Sequence, residues 1–307
     1  MSTVLKLENV TKMIRGKKLI DQLSFEVKAG EVFGFLGPNG AGKTTTIRMI
    51  VGLTNISSGD IIICGKNIKK NYADAVQHIG AIVENPELYP FLTGYQNLKQ
   101  YARMAKGVTT ERINEVIELV GLKDRIHNKV KTYSLGMRQR LGLAQSLLHD
   151  PKILILDEPT NGLDPAGIRE IRDYLRKLAK EKEIAVIVSS HLLSEMEMMC
   201  DRIAIIQQGK LVDVQPVKDF VHQTKELYRI RVHPLQKATT LLVKQQFSDL
   251  KQTEECLLVS TEEKNIPNII HLLSTNDIQI FEAAKVTKTL EDRFLEVTNG
   301  ERSSMHA

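Results

Sequence analysis

The stretch EVFGFLGPNGAGKTTTIRMI, residues 31–50, constrains the fold more than any other part of the chain. A short apolar run passes directly into a glycine-rich turn, and TTTIRMIVGL follows with its apolar residues at helical spacing. The turn fits the G-x-x-x-x-G-K-[ST] pattern, and it lies between a strand and a helix, the context in which that pattern carries chemistry. Glycines let backbone N–H groups turn inward around phosphate oxygens, and the helix N-terminus adds the positive end of its dipole. Gly37, Pro38, Asn39, Gly40, Ala41 and Gly42 thus read as a phosphate cradle. Lys43 would reach the β- and γ-phosphates of ATP, Thr44 would ligate Mg2+, and Thr45 would add a phosphate contact.

A second apolar run, ILILDEP, ends in adjacent acids. In open α/β sheets ligands bind at the carboxyl ends of the strands, which is where Asp157 and Glu158 would stand. Asp157 is expected to hold the magnesium through water, and Glu158 to be the general base that polarises the attacking water. His191 follows the run IAVIVSS directly, so a third strand end brings an imidazole towards the γ-phosphate.

Alternation of such strands with helical segments argues for a sheet with helices on its faces. Between about residues 86 and 148 the pattern turns helical, which reads as an insertion standing off that sheet. RIAIIQQGKLV reads as a strand, and LLSEMEMMC as a helix whose methionines are better explained by packing than by ligand binding. The expected organisation is an α/β nucleotide-binding domain over residues 1–222, a small α+β unit over 223–298 and a disordered tail over 299–307. The α+β unit carries no catalytic motif, and TLEDRFLEVT within it reads as a short amphipathic helix.

Charge and composition exclude other classes. The net charge of +5 is spread along the chain without a basic block, so no nucleic-acid partner is expected. No run approaches the roughly 20 apolar residues that cross a bilayer. Lys6 and Glu8 fall where a secretion signal needs apolar residues. Cys64, Cys200 and Cys256 lack metal-ligand spacing and suit a reducing cytosol.

GPNGAGKT, VENPELYP, YSLGMRQ, ILILDEP, NGLD and SSH follow one another along the chain. In that order they resemble the phosphate loop, Q-loop, signature, acid pair, D-loop and switch histidine of ABC transporter ATP-binding subunits. The resemblance covers about residues 1–222 and implies a P-loop ATPase fold of the ABC type, with a mixed sheet core. It also implies a head-to-tail homodimer in which Ser134 and Gly136 of one subunit close on the ATP of the other, with Asp164 at the same interface. A separate integral membrane permease would hold the subunit at the cytoplasmic face of the membrane.

Two positions depart from the family. Glu84 stands where a Q-loop glutamine is usual, and an acid there can still ligate magnesium or its water. No aromatic residue is available in TKMIRGKK to stack on adenine, which leaves Ile14 to pack on the base. Tyr89 and Phe91 lie beside the segment where relatives receive a membrane partner and are expected to form an apolar docking groove. SLGMRQR, VENPELYPFLTG and TLEDRFLEVT resemble the branch that exports drugs and antimicrobial peptides, including bacitracin-resistance and lantibiotic-immunity ATPases. The alternative is an ABC ATPase acting on ribosomes or DNA. Such proteins carry paired ATPase units or a long coiled-coil insertion, and neither is present in this sequence.

Overall fold

A computed structural model describes residues 2–191, 193–222, 227–245, 247, 250–253 and 255–286. The segments TLEDRFLEVT and NGERSSMHA lie outside the described residues. The chain divides into two compact units, Met1–Val217 and Lys218–Ala307.

The first unit opens with two long antiparallel strands, β1 (Thr3–Ile14) and β2 (Lys17–Lys28), and then the central strand β3 (Val32–Leu36). Next come α1 (Lys43–Ile50), β4 (Ser58–Ile63), β5 (Lys66–Asn67), α2 (Tyr72–Val76) and β6 (Ile79–Ile82). Three helices follow: α3 (Gly94–Ala102), α4 (Thr110–Leu119) and α5 (Leu135–Leu147). The chain returns to the sheet as β7 (Ile153–Asp157), α6 (Pro165–Lys182), β8 (Ala185–Ser190), α7 (Leu193–Met199), β9 (Arg202–Gln207) and β10 (Lys210–Pro216). A short helix, α8 (Val217–His222), comes next.

Two sheets result. One is antiparallel, in the order β2-β1-β4-β5. The other has the order β10-β9-β3-β8-β7-β6, and its pairs from β9 to β6 are all parallel. β3, β7 and β8 are buried along their whole length. Strands covered on both faces can be apolar without alternation, which is why VFGFL and ILILD form continuous runs. The core lies between the two sheets, where Phe25 of one stacks on Phe33 of the other with centroids 5.4 Å apart. Parallel strands all end on the same side, so the residues after β3, β7 and β8 meet there.

RIAIIQQGKLV is not one strand. It is the hairpin β9–β10, turning at Gln208 and Gly209, which have φ of 49° and 76°. In α7, Met196 and Met199 are buried in the core, while Met198 is 48% exposed.

The second unit has four antiparallel strands, β11 (Leu227–His233), β12 (Leu250–Gln252), β13 (Leu257–Ser260) and β14 (Gln279–Val286), in the order β12-β13-β11-β14. Helices α9 (Leu235–Lys244) and α10 (Ile266–Thr275) cover one face. Tyr228, Ile230 and Val232 alternate with exposed Arg229 and Arg231 along β11, as a sheet with a single buried face requires.

Candidate active site

Residues 37–42 connect β3 to α1. Gly40 and Gly42 have φ of 81° and 108°, a region that L side chains rarely enter, so the turn depends on glycine at both positions. Gly42 is the N-cap of α1, and Lys43 is its first residue. The Lys43 ammonium donates to the Gly37 carbonyl at 2.6 Å and stands 4.0 Å from Glu158 Oε1. Burial lowers its pKa from the ordinary 10.5, with Glu158 and Asp157 pulling the other way. The hydroxyls of Thr44 and Thr45 make no hydrogen bond among the described residues, whereas that of Thr46 is committed to the Gly42 carbonyl at 3.0 Å.

β7 delivers the two acids differently. Asp157 is 3% exposed, and its Oδ1 accepts a 2.5 Å hydrogen bond from Ser189 Oγ. Glu158 has φ 53°, an uncommon conformation for a non-glycine residue. Its N–H donates to both the carbonyl and the hydroxyl of Ser189, at 3.2 and 3.0 Å. Register across the sheet explains the contact, since Asp157 pairs with Ser189 between β7 and β8. Past the end of β8, His191 places Nδ1 2.6 Å from Glu158 Oε2.

Residues 38–45, Asp157, Glu158 and His191 line one cavity of about 510 Å³, together with Glu84, Asn85, Gln139, Asn161 and Leu19. Cationic Lys43 and the loop amides suit phosphate, and the two acids stand beside the lysine. Mg2+ prefers a few hard oxygen donors and completes its shell with phosphate oxygens and water. The free hydroxyl of Thr44 and the carboxylate of Asp157 fit that demand. Among the described residues no cluster of three or more His, Cys, Asp or Glu could bind a metal, so phosphate and water would have to supply the remaining ligands.

Several sequence expectations meet a different geometry. The carboxylate of Glu84 is turned to the Arg48 guanidinium at the end of α1 and is 60% exposed. Before it could serve a metal, that ion pair would have to open. Ile14 lies at the tip of β1, is 46% exposed and does not line the cavity. Leu19, across the β1–β2 turn, does. Ser134 and Asp164 are exposed N-caps, of α5 and α6, accepting from the N–H groups of Met137 and Gly167. With Gly136 they stand outside the cavity of their own chain.

Ser189 lies in the SSH segment, where the sequence reading singles out only His191. It nevertheless holds both acids. Ser189→Ala is expected to destabilise the fold by about 1–3 kcal/mol, because buried Asp157 loses its hydroxyl partner. The expected signature is a lower urea midpoint at an unchanged slope, and a midpoint equal to wild type contradicts it.

Residues 20–161 match the family model described as ABC transporter. Over 298 residues the chain is 64% identical to a Bacillus subtilis protein named an uncharacterized ABC transporter ATP-binding protein, YhcH, covering 97% of each. It is 40% identical to the bacitracin transport ATP-binding protein BcrA of Bacillus licheniformis, over 98% of this chain and 99% of that one. Among solved structures, cbiO1 of Clostridium perfringens, part of the ABC transporter complex cbiONQ, superposes with a TM-score of 0.66 at 27% identity, covering 71% of this chain and 90% of that one.

Proposed function

We propose a function on the premise that this chain belongs to the ABC transporter ATP-binding proteins: it hydrolyses ATP to power export of a drug or antimicrobial peptide through a separate membrane permease. The observation that carries the chemistry is the single cavity shared by Lys43, Asp157, Glu158 and His191. In the proposed mechanism, residues 37–45 grip the triphosphate by backbone N–H groups, the Thr45 hydroxyl and the Lys43 ammonium. Magnesium bound by Thr44 and Asp157 would neutralise phosphate charge. Glu158 accepts a proton from water as the water oxygen bonds to the γ-phosphorus. The bond from that phosphorus to the bridging oxygen breaks, and ADP leaves with the electron pair. His191, already hydrogen-bonded to Glu158, orients the carboxylate and faces the γ-phosphate.

The positions of exposed Ser134 and Asp164 and half-buried Gly136, outside the cavity of their own chain, support a second copy of the chain as partner. A helix N-terminus attracts anions, and that of α5 begins at exposed Ser134, outside the cavity. Two subunits closing over two ATP molecules, and parting after hydrolysis, would give the permease a power stroke. No described helix is long and apolar enough to cross a membrane, so the substrate path would belong to the permease.

The docking surface for that permease is proposed around Tyr89 and Phe91, which are 42% and 65% exposed with ring centroids 5.9 Å apart. Asn97, fully buried on α3, fixes the Tyr89 backbone through both its N–H and its carbonyl, at 2.8 and 3.1 Å. Exposed aromatics on a rigid base are the usual anchors of an interface. The double variant Tyr89→Ala, Phe91→Ala is expected to keep its ATP hydrolysis and lose co-purification with the permease. Co-purification at the wild-type level discards this surface.

A further inference from the structure

Thr160 and Glu195 are buried polar side chains that the proposed mechanism does not use. They are 4% and 5% exposed, and the Thr160 hydroxyl donates to Glu195 Oε2 across 35 positions of sequence. Thr160 follows the base Glu158 by two residues, and Glu195 follows His191 by four. Glu195 stands in the first turn of α7, where the helix dipole favours an acid, but an acid facing solvent would meet that need as well. Its burial asks for a further reason. A buried pair of polar groups adds little net stability over apolar groups of the same shape, so the pair is better explained by what it holds in place.

Segments 157–160 and 189–195 are joined in register. Asp157 Oδ1 accepts from the Ser189 hydroxyl, the Glu158 N–H donates to Ser189, Glu158 Oε2 stands 2.6 Å from His191 Nδ1, and Thr160 donates to Glu195. The last contact closes the run downstream of the base. Glu158 has φ 53°, and a non-glycine residue keeps such a conformation only where its surroundings over-determine it. Ser189 holds its N–H. Beyond it the chain turns, with the Asn161 and Leu163 N–H groups donating to the carbonyls of Glu158 and Thr160, both at 3.1 Å. The Thr160 hydroxyl ties that turn to α7. The helix is a firm anchor, because Met196, next to Glu195, packs on β3 where a Cβ on Gly34 would stand 2.8 Å from its sulfur. We propose that Glu195 is a positioning residue for the general base. Through Thr160 it locks the turn after Glu158 to the helix after His191, so the Glu158 carboxylate stays on His191 and in the cavity. The inference rests on the ATPase reading above and adds to it a residue that touches neither nucleotide nor water.

The double variant Thr160→Val, Glu195→Met replaces both partners by apolar groups of similar shape, a change that leaves stability nearly unaltered. Thr160→Ser retains the hydroxyl. With Mg2+, the double variant is expected to lower kcat for ATP about 10- to 100-fold, the effect of a displaced catalytic group. Its KM is expected to stay within about threefold of wild type, because residues 37–45 are untouched. Thr160→Ser is expected to turn over at the wild-type rate. In the ligand-free protein, hydrogen exchange at the Glu158, Asn161 and Leu163 amides should quicken in the double variant while Tm stays close to wild type. Thr160→Val alone repeats the test if the double variant does not fold. Wild-type kcat in the folded variant overturns the proposal. So does a loss of kcat matched by a loss of ATP affinity, or one that Thr160→Ser shares, since either marks a purely structural pair. If the wild-type protein releases no phosphate from ATP, the ATPase reading fails. The exchange rates then still decide whether Glu195 holds the turn, and unchanged rates discard it.

Discussion

Replacing Glu158 by glutamine is expected to slow ATP turnover by roughly 10²- to 10⁴-fold while leaving ATP binding intact. The amide keeps the shape of the side chain and cannot take the proton from water. One oxygen of Glu158 lies 4.0 Å from the Lys43 ammonium and the other is hydrogen-bonded to His191. Glutamine weakens the first interaction and can maintain the second, so the cavity keeps its geometry. The variant should therefore accumulate in the ATP-bound dimer, detectable by size-exclusion chromatography with ATP and magnesium. Turnover within about threefold of wild type would transfer the base role to another group.

The second large effect is expected at the lysine beside Glu158. Lys43→Met removes a buried cation whose pKa burial lowers from its ordinary value, against the pull of Glu158 and Asp157. Hydrogen bonds to charged groups contribute about 1.5–3 kcal/mol, so ATP affinity should fall roughly 10- to 200-fold. Methionine fills the same channel past the Gly37 carbonyl without a charge, so the fold should persist. Calorimetric titration with ATP and magnesium measures the loss. Affinity unchanged within a factor of two would mean that the loop amides alone hold the phosphates.

Much of the site is legible in the linear sequence because its positions obey local rules. The phosphate turn is spelled out by glycines at fixed offsets, and Asp157 and Glu158 end an apolar run that only a buried strand explains. Other features depend on distances that sequence does not encode. Glu84 meets Arg48 across 36 positions, so no local pattern reveals that its carboxylate is engaged. Leu19, and not Ile14, lines the cavity because the β1–β2 turn sets which side of the hairpin faces inward, and a register shift reverses every side chain. The hairpin of β9 and β10 is in fact marked in the sequence, since Gln207-Gln208-Gly209-Lys210 is a polar break with a turn-forming glycine between two apolar runs, and reading the segment as one strand passes over it. β12 has no apolar alternation to announce it, being Leu-Lys-Gln held against β13.

The central claim is that this ATPase works for a membrane permease. A tagged Glu158→Gln chain, expressed in its source cell and recovered from membranes in mild detergent with ATP and magnesium, tests it most directly. The account predicts a hydrophobic, multi-span protein co-purifying in roughly equal amount, and lost again in the Tyr89→Ala, Phe91→Ala background. Recovery of ribosomes or DNA-bound proteins, with no membrane protein among them, would contradict the export function while leaving the nucleotide site as described.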